Sequence, residues 1–173
     1  MPLAKNVLYA GTPIKEDGFN RSAEIHYAFK AVDVSGTTIQ VEKYGNSTVA
    51  KVGMFLMEAP ATIAGTKTAV TISTIDTSNE MYDEIVLSGT IAGLTNGGTV
   101  VEANQNGAGA VVKVVPNSLQ AADVYIDPDG YDFSYTAGYF SKGEVYERRI
   151  PPICDAVKDE LRKTTFFRYS QSR

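Results

Sequence analysis

His26 is the only histidine and Cys154 the only cysteine in the chain, so any imidazole or thiol chemistry must run through these two side chains. A site that needs two histidines is excluded. Ser22 lies four residues before His26, but in an extended strand the two do not face each other as a nucleophile and its base must. Cys154 with His26 as base is the other arrangement open to the chain. Cys154, however, opens an apolar helical stripe, where cysteine behaves as a small hydrophobe. A lone histidine beside aromatics is ordinarily a packed or surface residue. The sequence therefore assigns no catalytic residue.

The carboxylates give no stronger signal. Asp127, Asp129 and Asp132 with Gly130 have part of a calcium-loop pattern, but the twelfth position from Asp127 is Gly138 where a bidentate glutamate is required. A Pro-Gly turn carrying solvated aspartates accounts for the segment. Asp76, Asp83 and Glu84 fall on a connector between strands, where charge also discourages edge pairing. Gly107-Ala108-Gly109 lacks the following Lys-Ser/Thr and the helix of a phosphate-binding loop. No metal site and no cofactor is expected.

The residues with the clearest binding character are at the C-terminal end. Arg162, Lys163, Phe166, Phe167, Arg168 and Tyr169 interleave cations with aromatics. Such a segment can anchor on a protein through Phe166, Phe167 and Tyr169 while the cations meet carboxylates. It can also stack on single-stranded nucleic acid, or pack on its own domain or a symmetry mate. Residues 1–147 hold nine Lys/Arg against seventeen Asp/Glu, and residues 148–173 hold seven against three. An acidic body opposes the broad positive footprint that phosphate contact needs, so protein docking is the expected role. The aromatic run from Tyr125 through Tyr131, Phe133, Tyr135, Tyr139 and Phe140 to Tyr146 fits either an interface or a core stripe.

These residues need a scaffold, and the composition indicates a β one. Gly, Thr, Val and Ala are plentiful, tryptophan is absent, and 43% of residues are hydrophobic, which favours strands and tight turns around a real core. Residues 37–44 alternate cleanly, and residues 66–75 and 84–92 are rich in β-branched residues. Residues 23–34 are read as one strand. Asn96-Gly97-Gly98 is the strongest hairpin signal and is expected to join residues 85–94 to 99–103. After Pro151-Pro152, the residues Ile153, Ala156, Val157 and Leu161 form one apolar stripe, giving a single helix. The expected fold is mainly β: an antiparallel sandwich or barrel-like body over 23–147, an extended N-terminal arm over 1–22, and a helix with a short basic tail over 148–173. No stretch approaches the length of a membrane helix, and the short apolar run near Met1 is below the size of a signal-peptide core. Synthesis in a cytoplasm is expected.

Residues 5–18, Lys-Asn-Val-Leu-Tyr-Ala-Gly-Thr-Pro-Ile-Lys-Glu-Asp-Gly, resemble the openings of small capsid-decoration proteins of tailed phages. The stretch from Lys51-Val52-Gly53 through Thr71-Ile72-Ser73-Thr74-Ile75-Asp76-Thr77-Ser78-Asn79 is similar to phage head-fibre and decoration modules. So are Tyr82-Asp83-Glu84-Ile85-Val86-Leu87 and Leu94-Thr95-Asn96-Gly97-Gly98-Thr99-Val100-Val101-Glu102-Ala103. The resemblance spans about half the chain and carries no catalytic residue; from Asn117 onward it matches no named family. It implies a virion structural protein of oligomeric, capsid-decorating type, bound to the major capsid protein or other virion subunits. A carbohydrate-binding or adhesin-like β-module is the alternative from another class, and a head–tail connector role the alternative within the virion.

Overall fold

The computed structural model describes residues 7–17, 22–43, 49–125, 139–140, 142–146, 149–164 and 166–170. The chain runs through β1 (Val7–Leu8), β2 (Pro13–Asp17), β3 (Ser22–Ile25), β4 (Ala28–Ser35), β5 (Thr38–Glu42), β6 (Phe55–Glu58), β7 (Lys67–Asp76) and β8 (Tyr82–Leu87). It continues through β9 (Thr99–Glu102), β10 (Gly107–Ala110), β11 (Ser118–Gln120), β12 (Val124–Tyr125), β13 (Tyr139–Phe140) and β14 (Lys142–Tyr146). Helix α1 (Asp155–Thr164) and strand β15 (Phe166–Ser170) follow. Among the described residues the fold is mainly β with one late helix, as the sequence predicts.

Apolar doublets break the simple alternation of a half-buried strand at Leu56-Met57, Ala69-Val70 and Val100-Val101. All six side chains are buried. Successive side chains of a strand point to opposite faces, so a buried doublet requires cover on both faces. The inner cover is a barrel. Strands β7, β6, β9, β4, β5 and β8 pair in that order, every pair antiparallel, and β8 pairs back onto β7. Closure depends on the length of β7. Its Val70 and Thr71 pair with β6, its second half pairs with β8, and β10 lies beside its beginning. A register shift between Ile72 and Thr74 marks the bulge at which β7 turns toward β8.

One set of alternating residues fills the barrel: Phe29, Ile39, Val41, Leu56, Ile72, Ile85 and Val100 belong to a single buried cluster. A small barrel of this kind is packed with side chains and has no channel. The other set faces outward. Met57, Ala69 and Val101 share a second cluster with Ala110, Val112 and Leu119, and with Ala156, Val157 and Leu161 of α1. The stripe expected on the helix is thus the surface that clamps it to the outer wall of the barrel. Each fully buried Val or Leu in such a layer contributes about 1.5–3 kcal/mol.

A four-stranded sheet in the order β13-β11-β2-β3 and a β1–β12 pair complete the body. Of the stretch expected as an arm over 1–22, the described residues 7–17 are built into this body, with Val7 and Ile14 buried. Gly11 makes the turn between β1 and β2 at φ 82°. A Cβ there would lie 2.1 Å from Cγ2 of Ile150, so the turn requires glycine for both conformation and space.

Three expectations change. The strand predicted over 23–34 is two strands in two sheets. The break falls at His26 and Tyr27, where the His26 N–H donates to the Pro13 carbonyl at 3.0 Å and the chain crosses from the small sheet to the barrel. Asn96-Gly97 does form a turn, but not a hairpin between β8 and β9, which lie on different strands of the ring. The turn instead docks on β4: the Gly97 N–H donates to the Ala31 carbonyl and Asn96 Oδ1 accepts from the Val34 N–H. Residues 88–98 cross between the strands with Ile91 and Leu94 buried in the barrel cluster. Lastly, the segment read as a tail contains β15, paired in parallel with β14.

Candidate docking surface

The C-terminal residues form a β-α-β unit, β14-α1-β15. Parallel neighbours cannot be joined by a tight turn and need a crossover of a dozen or more residues; here α1 is the crossover. Its first turn is closed by the Cys154 carbonyl, which accepts from the Val157 and Lys158 N–H groups at 3.1 Å. Asp155 stands in the first turn and Arg162 and Lys163 in the last, each complementing the helix dipole. Three ion pairs run along the helix: Lys158–Asp155 at 3.0 Å, Arg162–Asp159 at 2.7 Å and Lys163–Glu160 at 2.8 Å. Paired across an exposed surface, each is worth only a few tenths of a kcal/mol.

β15 runs alongside β14 in continuous register, from Lys142 opposite Phe166, through Glu144 opposite Arg168, to Tyr146 opposite Ser170. Val145 packs on the outer cluster, whereas Gly143, Glu144 and Tyr146 are exposed. The Arg149 guanidinium lies 5.5 Å from the Tyr146 ring centre, a cation–π contact at an exposed site. Of the six residues singled out for docking, Arg162 and Lys163 are exposed at the end of α1, and Phe166, Phe167, Arg168 and Tyr169 lie in β15. The structure brings all six into one unit.

No known protein family, curated protein or solved structure matches this chain. Its site must be read from its own geometry.

His26 and Cys154 are not brought together. Cys154 is buried in the outer cluster beside α1, and burial pushes its thiol up from the ordinary range, which disfavours the thiolate a nucleophile needs. His26 is buried where the small sheet meets the barrel, and Nδ1 donates to the Val114 carbonyl at 2.8 Å. Burial pulls its pKa down and the Val114 contact opposes this, so the site favours the neutral ring. Nε2 is buried with no hydrogen-bond partner among the described residues. The ring borders a cavity of about 60 Å³ between Leu8, Phe29, Val41 and Pro151, too small for more than a few waters. Burial likewise raises the Tyr27 phenol, with Glu102 adding to the effect.

Asp83 and Asp76, two of the acidic residues singled out, have structural partners. Asp83 is buried and pairs with Lys43 at 3.1 Å, and the Lys43 ammonium also donates to the Thr77 and Asn79 carbonyls. The Asp76 carboxylate accepts from the Ser78 N–H at 2.9 Å, which holds its pKa below the usual range. Among the described residues no group of three or more His, Cys, Asp or Glu is placed to hold a metal, and no helix is long and apolar enough to cross a membrane. Asp127, Asp129, Gly130 and Asp132, with Tyr131, Phe133 and Tyr135, lie outside the described residues. Gly107-Ala108-Gly109 is part of β10, hydrogen-bonded to β7.

Sequence reasoning missed the strand character of β15. The signal was present in Phe-Phe-Arg-Tyr-Ser, which is rich in strand formers, and in a helix flanked on both sides by such residues.

Proposed function

We propose that the chain is a non-enzymatic structural subunit of a tailed-phage virion. In this reading it is an auxiliary capsid protein of the decoration or head-fibre kind that docks, as an oligomer, on repeated capsid subunits. The observation that carries it is the C-terminal unit: a two-stranded ribbon that includes Phe166, Phe167, Arg168 and Tyr169, joined through α1, which carries Arg162 and Lys163 and packs on a closed barrel. Closure removes the barrel's own strand edges, so the ribbon is a prominent place for another chain to add. Many copies on a lattice gain avidity from individually weak contacts of this kind. No residue is assigned a catalytic role.

The test is composition. Particles purified from the lysate in which this chain is made should contain it in many copies, released by high salt without loss of the shell. A chain that stays wholly outside the particle fraction, or whose purified form turns over a substrate, contradicts the assignment.

A further inference from the structure

His26 stands at a seam. β3 and β4 follow one another in the chain but belong to the small sheet and to the barrel, and His26 and Tyr27 lie between them. The His26 backbone is tied to β2 through the Pro13 carbonyl. Its ring is tied to Val114, in the segment that leads from the Ala103–Val112 bridge into β11. One residue thus joins two places at which the chain passes between the small sheet and the barrel.

A neutral ring suits this position and a charged one does not. A carbonyl only accepts, so Nδ1 carries the proton and Nε2 is the bare nitrogen. Nε2 is buried away from water, with no hydrogen-bond partner among the described residues. Tyr9, Tyr27, Glu42 and Asp83 are the titratable groups bordering the adjoining cavity. Asp83 is already paired with Lys43 and Glu42 with Lys30, while Lys113, next to Val114, is paired with Glu102. A second ring proton would make a buried charged donor without an acceptor, which is costly.

The two sheets are not equally able to withstand that cost. The barrel is filled by one apolar cluster. The small sheet buries Ile14 and Leu119, but also Ser118 and Gln120, and the Gln120 Oε1 has no partner among the described residues. A unit with few buried apolar contacts opens at a lower free energy than the rest of a fold.

We propose that His26 is an acid-operated latch, whose protonation releases the four-stranded sheet from a barrel that stays closed. In the released form the ring meets water and takes up its proton at about pH 6.5; in the latched form burial holds its pKa lower. Each pH unit below about 6.5 therefore raises the released population by up to about tenfold, until the latched form titrates as well. The latch is separate from the C-terminal unit and stands whether or not that unit docks.

Amide exchange followed by NMR on the full chain between pH 7 and 5, corrected for the intrinsic pH dependence of exchange, tests it. The imidazole of the only histidine is titrated in the same samples. The amides of Gly11, residue 26, Asn117 and Gln120 bond within the small sheet or to it, and those of Ile72 and Leu87 bond within the barrel. The first set should lose protection by up to about tenfold per pH unit, while the second keeps its own. His26→Gln, neutral throughout, should abolish the difference. Equal loss in both sets, loss in neither, or a His26→Gln variant that keeps the wild-type pH dependence overturns the proposal. So does an imidazole that titrates above about pH 6.5, because Glu42 or Asp83 would then hold the proton in the closed form. The wild-type series decides the question alone if His26→Gln misfolds.

Discussion

Leu161→Ala should loosen the attachment of the C-terminal unit more than any surface change on the same helix. The Leu161 side chain is fully buried in the outer cluster with Met57 and Val101. Truncation removes the transfer energy of the lost carbons and leaves a cavity, which together cost about 2–5 kcal/mol for buried leucines. For a chain of this length each kcal/mol moves the melting temperature by about 2–4 °C, so a central loss of about 3 kcal/mol lowers it by about 6–12 °C. Lys163→Ala, which breaks an exposed ion pair on the same helix, should change stability by no more than about 0.5 kcal/mol. Calorimetry or urea melts of the two variants make the comparison. A double cycle with Val101→Ala should show coupling, since the residues share one cluster. Equal melting temperatures for Leu161→Ala and Lys163→Ala would mean that α1 is not clamped to the barrel, and the C-terminal unit would lose its anchor.

Further outcomes follow from other parts of the molecule. Because the folded pKa of His26 is depressed, its contribution to stability is full above about pH 6.5 and is lost as pH falls below that toward the folded value. Between pH 7 and 5 the wild-type chain should therefore lose stability, by up to about 1.4 kcal/mol per pH unit, more steeply than His26→Gln; parallel urea-melt profiles would rule this out. Lys43→Ala removes the cation nearest a buried carboxylate and should cost about 3–5 kcal/mol, whereas Glu42→Gln, at the exposed 4.0 Å pair with Lys30, should be near neutral in the same denaturant assay. Gly11→Ala should destabilise by more than about 1–2 kcal/mol, because the left-handed turn alone costs that much and Ile150 must also move; an unchanged melting curve would show that the turn is not as tight as described.

The fold was legible where the signal is local. Thr38–Glu42 reads as a strand from its own alternation, and α1 reads as a helix from Ala156, Val157 and Leu161. The partners of each strand were not legible, because pairing is decided by distant residues. Asn96-Gly97-Gly98 is a turn in sequence and in structure, yet its hydrogen bonds go to β4, so the local hairpin inference fails although the local conformation is right. β7 is legible as a strand, but its double service to β6 and β8, on which barrel closure depends, cannot be read from its ten residues. The buried doublet Leu56-Met57 shows in the structure that β6 is covered on both faces, and nothing in its four residues says that a helix from the far end of the chain supplies the outer cover. The docking residues were chosen by type, cations among aromatics, and the structure places Arg162 and Lys163 at the end of α1 and the other four in β15. Their conformation was missed because Phe166-Phe167 interrupts alternation, and because a parallel partner lies a whole helix away in sequence.

Docking through the C-terminal unit is tested most directly by a density map of the particles. The barrel should recur at repeated positions on the shell, with the β14–β15 ribbon buried against a neighbouring subunit. A shell with no density for the barrel, or one in which every copy leaves that ribbon in open solvent, would contradict it.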